Sequence, residues 1–357
     1  MYKSVLRPIL FRIDPERVHH MVVLAVRILY KIPGVRNAMT RFTNKPDPSG
    51  GVTIAGLHFP NRVGLAAGFD KNAEFFNEFA MFGFSFIEIG TVTPEPQPGN
   101  TKPRLFRLKN DNALINRMGF NNKGLAHAID RLRKRNSHVI VGGNIGKNTV
   151  TTNENAAADY AACFAGLYDS VDYFAINVSC PNIAGMEKLQ DKDSLRNILL
   201  SVMKIRAQKP VNKPVFLKIS PDLTYRQIDE VIELYTEVGL DGIIATNTTT
   251  DRNCLSINSQ QAERFGPGGL SGKPLTTRSV EIISYICKQS GGAIPVIGVG
   301  GIMNKNDALA MIRAGARLLQ VYTGFIYEGP FLVRDINVAL KEYFQAFPAG
   351  TGHGRPN

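Results

Sequence analysis

From residue 61 onward the chain repeats one rhythm, a short β-rich apolar run followed by a helix-like segment. Eight such runs recur: RVGLAA (62–67), FIEIG (86–90), VIVGGNIG (139–146), YFAINV (173–178), VFLKI (215–219), DGIIAT (241–246), PVIGVG (295–300) and LLQVYT (318–323). Continuous Val/Ile/Leu-rich runs describe strands buried on both faces, and helices between them describe parallel pairing. Eight units close a (β/α)8 barrel, which the pattern favours over an open doubly wound sheet. The expected fold class is α/β, a (β/α)8 barrel.

The N-terminal segment breaks this rhythm. In DPERVHHMVVLAVRILYKIPG, Asp14 is placed to cap a helix, Pro15 suits its first turn, and Pro33 and Gly34 end it. Val18, Met21, Val22, Ala25, Ile28, Leu29 and Ile32 fall at helical spacing, with Arg17, Arg27 and Lys31 away from them. The first 45 residues carry nine basic side chains, from Lys3 to Lys45, against Asp14 and Glu16 alone. Two readings fit: a helix packed on the main domain, or short helices lying in a membrane interface and drawn to anionic lipid. NKPDPSGG (44–51) reads as a linker. The expected organisation is a helical segment over 1–45, a barrel over 46–345 and a flexible tail over 346–357.

A formal net charge of +12 favours an anionic partner, whether nucleic acid, an acidic membrane or a phosphorylated ligand. No basic stretch interleaved with stacking aromatics, and no known binding module, supports nucleic acid. Cys163, Cys180, Cys254 and Cys287 are widely spaced with no CxxC pair, so neither a disulfide framework nor a metal site is expected. The longest early apolar run, MVVLAV (21–26), falls far short of the roughly 20 residues of a spanning helix.

In a barrel of this kind the active site gathers where strands end. The runs exit into AAGFDK, GTVTP, Asn144, NVSCPN, Lys218, TNTT, GVGG and YTG, which are polar or glycine throughout. GVGGI (298–302) and YTG (322–324) follow the seventh and eighth runs, where this fold commonly binds phosphate through backbone N–H groups. GGLSG (268–272) offers a third close approach of backbone to ligand. Lys218 inside such a barrel permits a Schiff-base aldolase or a flavin enzyme in which its charge stabilises the reduced ring. Asn116, Asn144, Asn177, Asn182 and Asn247 supply donors and acceptors together, which suits a planar heterocycle better than a sugar phosphate.

AAGFDKN (66–72), EIGTVTPEPQPGNTKPRLFRL (88–108), NRMGFNN (116–122), NIGKN (144–148), NVSCPN (177–182), ATNTT (245–249), GGLSGKPL (268–275) and IGVGGI (297–302) together closely resemble dihydroorotate dehydrogenase. This FMN enzyme family oxidises dihydroorotate to orotate in pyrimidine synthesis. The likeness runs from the first helix to about residue 340, and DPERVHH resembles the membrane-associated class 2 members that pass electrons to quinone. The resemblance implies that FMN is held by Ala67, Gly68, Phe69, Asp70 and Lys71 through backbone, and by Thr91, Asn144, Asn177, Lys218 and Thr246. Gly272, Gly301, Tyr322 and Thr323 would surround its phosphate. It implies that substrate lies against Lys71, Asn116, Arg117, Met118, Gly119, Phe120, Asn177, Asn182, Asn247 and Thr248. His19, Arg107 and Tyr322 match the quinone approach, and a peripheral place on the cytoplasmic side of the cell membrane follows.

One position departs from the class 2 pattern. Those members usually carry serine where this chain has Cys180, and cysteine is the pattern of soluble class 1 enzymes. Cys180, at the end of the fourth run between Asn177 and Asn182, is the expected catalytic base. An unperturbed thiol, with a pKa of about 8.5, ionises more readily than an alcohol. The N-terminal element, absent from class 1, favours quinone as acceptor. A soluble enzyme of the same reaction using fumarate is the alternative.

Overall fold

The computed structural model describes residues 2–43, 50–182, 186–256 and 264–347. The expected linker falls almost wholly, and the expected tail from 348 on, outside the described residues.

All eight runs form strands: β1 (Val63–Asp70), β2 (Phe86–Val92), β3 (Ile140–Ile145), β4 (Tyr173–Asn177), β5 (Val215–Ile219), β6 (Gly242–Ala245), β7 (Val296–Val299) and β8 (Leu318–Val321). They pair in parallel in chain order, and β8 returns to β1 to close the barrel. Alternation along each strand sorts the side chains. Val215, Leu217 and Ile219 of β5 face the surrounding helices, while Phe216 and Lys218 face inward.

The lower interior is filled by aromatic rings, and glycine on the neighbouring strand makes room for each. A Cβ on Gly64 would lie 2.3 Å from the Phe86 ring, and one on Gly142 would lie 2.1 Å from Tyr173. Ahead of β1, Val52–Ile54 pairs with Leu57–Phe59 in an antiparallel hairpin. Its buried Phe59 plugs the N-terminal mouth, 5.3 Å from Phe86 and 6.4 Å from Tyr173 by ring centroid.

A three-stranded antiparallel sheet stands outside the barrel, and the eight-run pattern does not foresee it. Leu105–Leu108 pairs with Ala113–Asn116, which pairs with Gly269–Gly272. GGLSG is thus an edge strand, its glycines held against Asn116 and Ala113.

Before the barrel, α1 (Pro15–Lys31) is capped by Asp14, whose carboxylate accepts from Arg17 N–H at 3.0 Å. It meets α2 (Val35–Thr43) at 108°. Among the described residues no single helix is long and apolar enough to cross a membrane. The apolar stripe of α1 does not simply dock on the barrel. Val18, Val23 and Val26 are buried, whereas Met21, Leu24, Ile28, Leu29 and Ile32 remain exposed.

Candidate active site

The strand ends open into one cavity of about 1090 Å3, counting its mouth. It is lined by Ala66 to Gly68 from β1, Thr91 from β2, Asn177 from β4 and Lys218 from β5. Thr246 follows β6, Gly300 and Gly301 follow β7, and Gln320 to Gly324 span the end of β8. The outer sheet forms one wall through Leu105, Leu114, Asn116, Ser271 and Gly272.

Directly beneath the cavity lies a polar layer, two residues on from the aromatic plug. Glu88, wholly buried, accepts from Gln320 Nε2 at 2.7 Å, Asn144 Nδ2 at 2.8 Å, Tyr173 Oη at 3.2 Å and Lys218 Nζ at 3.4 Å. Hydrogen bonds then climb into the cavity. Thr91 Oγ1 donates to Asn144 Oδ1 at 2.5 Å, and Asn177 Nδ2 donates to Thr91 Oγ1 at 2.9 Å. Asn247 Nδ2 donates to Ser179 Oγ at 3.0 Å and to Asn177 Oδ1 at 3.3 Å. Glu88, Gln320 and Ser179 were not singled out by sequence reasoning. A charged letter inside the apolar FIEIG was the available signal.

The glycine-rich end sits opposite. Gly301 has φ +80°, and a Cβ there would lie 2.4 Å from the backbone nitrogen of Thr276. Gly272 has φ +104° and lies against Asn112 and Thr323. Ser271 and Thr323 share a hydroxyl hydrogen bond at 2.8 Å. Tyr322 closes this side, its hydroxyl donating to Gly68 O at 3.3 Å, and burial pushes its pKa up to about 12.

Cys180 is buried and Lys71 half-buried at the remaining side. Burial drives the thiol up to about 11, against the lowering effects of hydrogen bonds from Asn182 and the charges of Lys71 and Lys218. This pocket disfavours the thiolate despite the nearby Lys71. Burial likewise drives Lys71 down to about 8, with Cys180 opposing the shift. Lys71 Nζ donates to Asn121 Oδ1. Asn182 Nδ2 donates to Asn116 Oδ1 at 2.7 Å, and Asn116 Nδ2 donates to Gly269 O at 3.3 Å.

Most of the residues expected at the site meet in this cavity, including Met118, Gly119, Phe120 and Thr248. Arg117 does not contribute its side chain. Its guanidinium donates to Pro103 O at 3.1 and 3.0 Å and lies over Phe106, because it follows Asn116 on the opposite face of the chain. Asp70 also turns from the cavity, accepting from Glu74 N–H at 2.8 Å and Phe75 N–H at 2.9 Å. The Phe69 ring points toward α1, where His19 packs 5.0 Å away. His19 is half-buried rather than a solvated face residue, and burial, with the charges of His20 and Lys71, lowers its pKa to about 4. Arg107 donates to Ile13 O at 2.6 Å, and Tyr322 stands 5.4 Å from Phe69. These three border one seam between the N-terminal helices and β1, β8 and the outer sheet.

The fold and cavity define a (β/α)8-barrel enzyme whose one cavity has a glycine-lined end and also holds Cys180 and Lys71. The family described as dihydroorotate dehydrogenase matches residues 51–344. A protein of Christiangramia forsetii is 50% identical over 342 residues, covering 96% of this chain and 99% of its own length. One of Akkermansia muciniphila is 45% identical over 343 residues, covering 95% and 96%. Both are named dihydroorotate dehydrogenase (quinone). Crystal structures of DHODH from Eimeria tenella, in complex with ferulenol and ligand-free, superpose with TM-scores of 0.81 and 0.83. They are 36% and 37% identical, and cover 93% of this chain and 92% and 95% of their own. The chain belongs to the dihydroorotate dehydrogenase family, in its class 2.

Proposed function

We propose that the chain oxidises (S)-dihydroorotate to orotate in de novo pyrimidine (UMP) biosynthesis, with FMN as cofactor and a membrane quinone as electron acceptor. The observation that carries this reading is the single cavity in which Cys180 and Lys71 stand among the amides of Asn116, Asn177, Asn182 and Asn247. The cavity fits FMN in its chemistry. Its glycine end suits a phosphate, and Gln320 Oε1 is buried without a hydrogen-bond partner among the described residues, an acceptor left over for a ring N–H. Ala67, Gly68, Thr91, Asn144, Asn177, Lys218 and Thr246 would hold the ring system, and Gly272, Gly301, Tyr322 and Thr323 the phosphate. When bound, FMN supplies the acceptor for the hydride that leaves C6 of dihydroorotate.

The chain's own residues manage the substrate. Lys71 pairs with its carboxylate, and Asn116, Asn182, Asn247 and Thr248 read its alternating carbonyl and N–H groups. Met118, Gly119 and Phe120 cover it. Cys180 Sγ takes the proton from C5, and Lys71 steadies the thiolate that does so. Fixing the ring aligns both departing bonds.

Residues 1–45 serve in this reading as the membrane and quinone element, and 46–345 as the FMN barrel. The exposed Met21, Leu24, Ile28, Leu29 and Ile32 enter the interface of the cell membrane from its cytoplasmic side, and the basic residues meet anionic headgroups. His19, Arg107 and Tyr322 border the quinone passage. An acceptor panel tests the proposal: detergent-dependent turnover with ubiquinone or menaquinone analogues, against turnover with fumarate. Turnover with fumarate but none with quinone would overturn the acceptor, and a colourless protein releasing no FMN would overturn the flavin.

A further inference from the structure

One polar contact of α1 leads directly into the substrate end of the cavity. Glu16, in the first turn of α1, accepts from Arg104 twice, from Nη2 at 2.8 Å and from Nε at 3.3 Å. Arg104 is only 7% exposed, and its Nη1 donates to Pro98 O at 2.7 Å and Asn100 O at 2.9 Å. Asn100 continues the path. Its backbone N–H donates to Met118 O at 3.0 Å, and its Nδ2 donates to Asn182 O at 3.2 Å. Gln97, from the same segment, donates to Gly119 O at 3.3 Å and Phe120 O at 3.2 Å. Unbroken hydrogen bonds thus run from the N-terminal helix to the backbone of Met118–Phe120 and Asn182, beside Cys180.

The charges make this path demanding. A buried guanidinium needs a counter-charge, and removing one partner of such a pair leaves the other uncompensated. Among the described residues Glu16 is the carboxylate that reaches Arg104; Lys102, the other cation on Glu16 at 3.3 Å, is exposed. Glu16 and Arg104 also act with opposite sign on Lys71 inside the cavity, the carboxylate favouring its charged form and the guanidinium opposing it.

We propose that Glu16 is a positioning residue: acting through Arg104 and Asn100, it fixes the 97–104 segment against Met118–Phe120 and Asn182, so that the seating of α1 sets the pocket's affinity for dihydroorotate and orotate. The proposal rests on reading this cavity as the dihydroorotate site.

The test titrates orotate into the FMN-loaded full chain, followed by flavin absorbance across a range of pH, for Glu16→Gln, Asn100→Ala, the double variant and Lys102→Ala. Glu16→Gln and Asn100→Ala each weaken orotate binding about tenfold, the scale of one charge-assisted hydrogen bond. The double variant is no weaker than the weaker single, because both changes cut one path. Lys102→Ala stays within about twofold of wild type, as an exposed pair should. In Glu16→Gln the alkaline loss of orotate binding moves to lower pH, because the carboxylate that favoured charged Lys71 is gone. Wild-type affinity in Glu16→Gln, strictly additive losses in the double variant, or an unmoved alkaline limb would overturn the proposal. So would a parallel rise in the KM for a quinone analogue, which would show that the helix had simply detached. Failure of the wild-type protein to bind orotate would instead overturn the proposed function.

Discussion

Glu88 and Lys218 face each other inside the barrel, Oε1 to Nζ 3.4 Å apart, with side chains 0% and 6% exposed. The carboxylate also gathers donors from β3, β4 and β8, so one side chain ties its own strand β2 to four others beneath the cavity. Its alternating neighbours explain the placement: Phe86, one turn of the pleat earlier, also faces inward, whereas Ile87 and Ile89 pack on the helices.

Removing one partner of this buried pair should cost far more than removing both. Glu88→Gln is expected to lower stability by about 3–5 kcal/mol, and Lys218→Met similarly, while the double variant loses less than the sum of the two. Chemical denaturation of the three variants measures this. Additive losses would show that the two groups do not act as a pair.

Cys180 at about 11 and Lys71 at about 8 set a defined pH profile for the first half-reaction. In the proposed mechanism the competent form carries thiolate and ammonium together. Below pH 8 the ammonium is nearly complete and each pH unit brings about ten times more thiolate, so flavin reduction at low dihydroorotate rises with unit slope. Above pH 8 further thiolate is matched by loss of ammonium and the curve flattens, the pair titrating as a unit. Stopped-flow reduction from about pH 6 to pH 10 reads this profile. Cys180→Ala should slow reduction by about 10²–10⁴ while retaining FMN. Near wild-type reduction in that variant would remove Cys180 from the mechanism.

Gly301→Ala tests the proposed phosphate end. The added Cβ would meet Thr276 at 2.4 Å, at a φ of +80° that L side chains rarely adopt. A cost of about 1–3 kcal/mol for holding this turn in its binding shape corresponds to a roughly 5- to 150-fold loss of FMN affinity. The flavin-to-protein absorbance ratio after purification measures it, and full occupancy would place the phosphate elsewhere.

Leu24 and Ile28, 59% and 57% exposed on α1, probe the membrane face. Replacing both by aspartate should weaken co-sedimentation with anionic vesicles by about tenfold or more. Flavin reduction by dihydroorotate should be unchanged. Undiminished vesicle binding would move the membrane contact to another surface.

The barrel was legible because doubly buried strands leave unbroken apolar runs, and all eight became strands. Cys180, Lys71, Asn177, Asn182 and Asn247 were legible as cavity residues because they close or follow those runs at corresponding ends. Glu88 and Gln320 were not, since a polar letter within FIEIG or LLQVYT shows its meaning only once strand alternation puts it beside Phe86 or Leu318 on the inner face. Arg117 shows the converse: its neighbours line the cavity, but adjacency in sequence does not give side-chain direction. The outer sheet escaped because LFRL and ALIN are too short to stand out, and GLSG, rich in glycine, reads as a loop.

That outer sheet carries a consequence for how the chain comes into being. Asn116 meets its partner Gly269 across 153 positions of sequence, and the barrel itself closes across 255, where Arg62 reaches Arg317 O. Contacts of such span form late and slowly, after the ends of long loops have been brought together. On the ribosome, Cys180 and Lys71 emerge long before the strand that walls them in. The pocket is complete only once β8 (Leu318–Val321) has been made and paired with β1, so capture of the proposed flavin follows barrel closure rather than nucleating it.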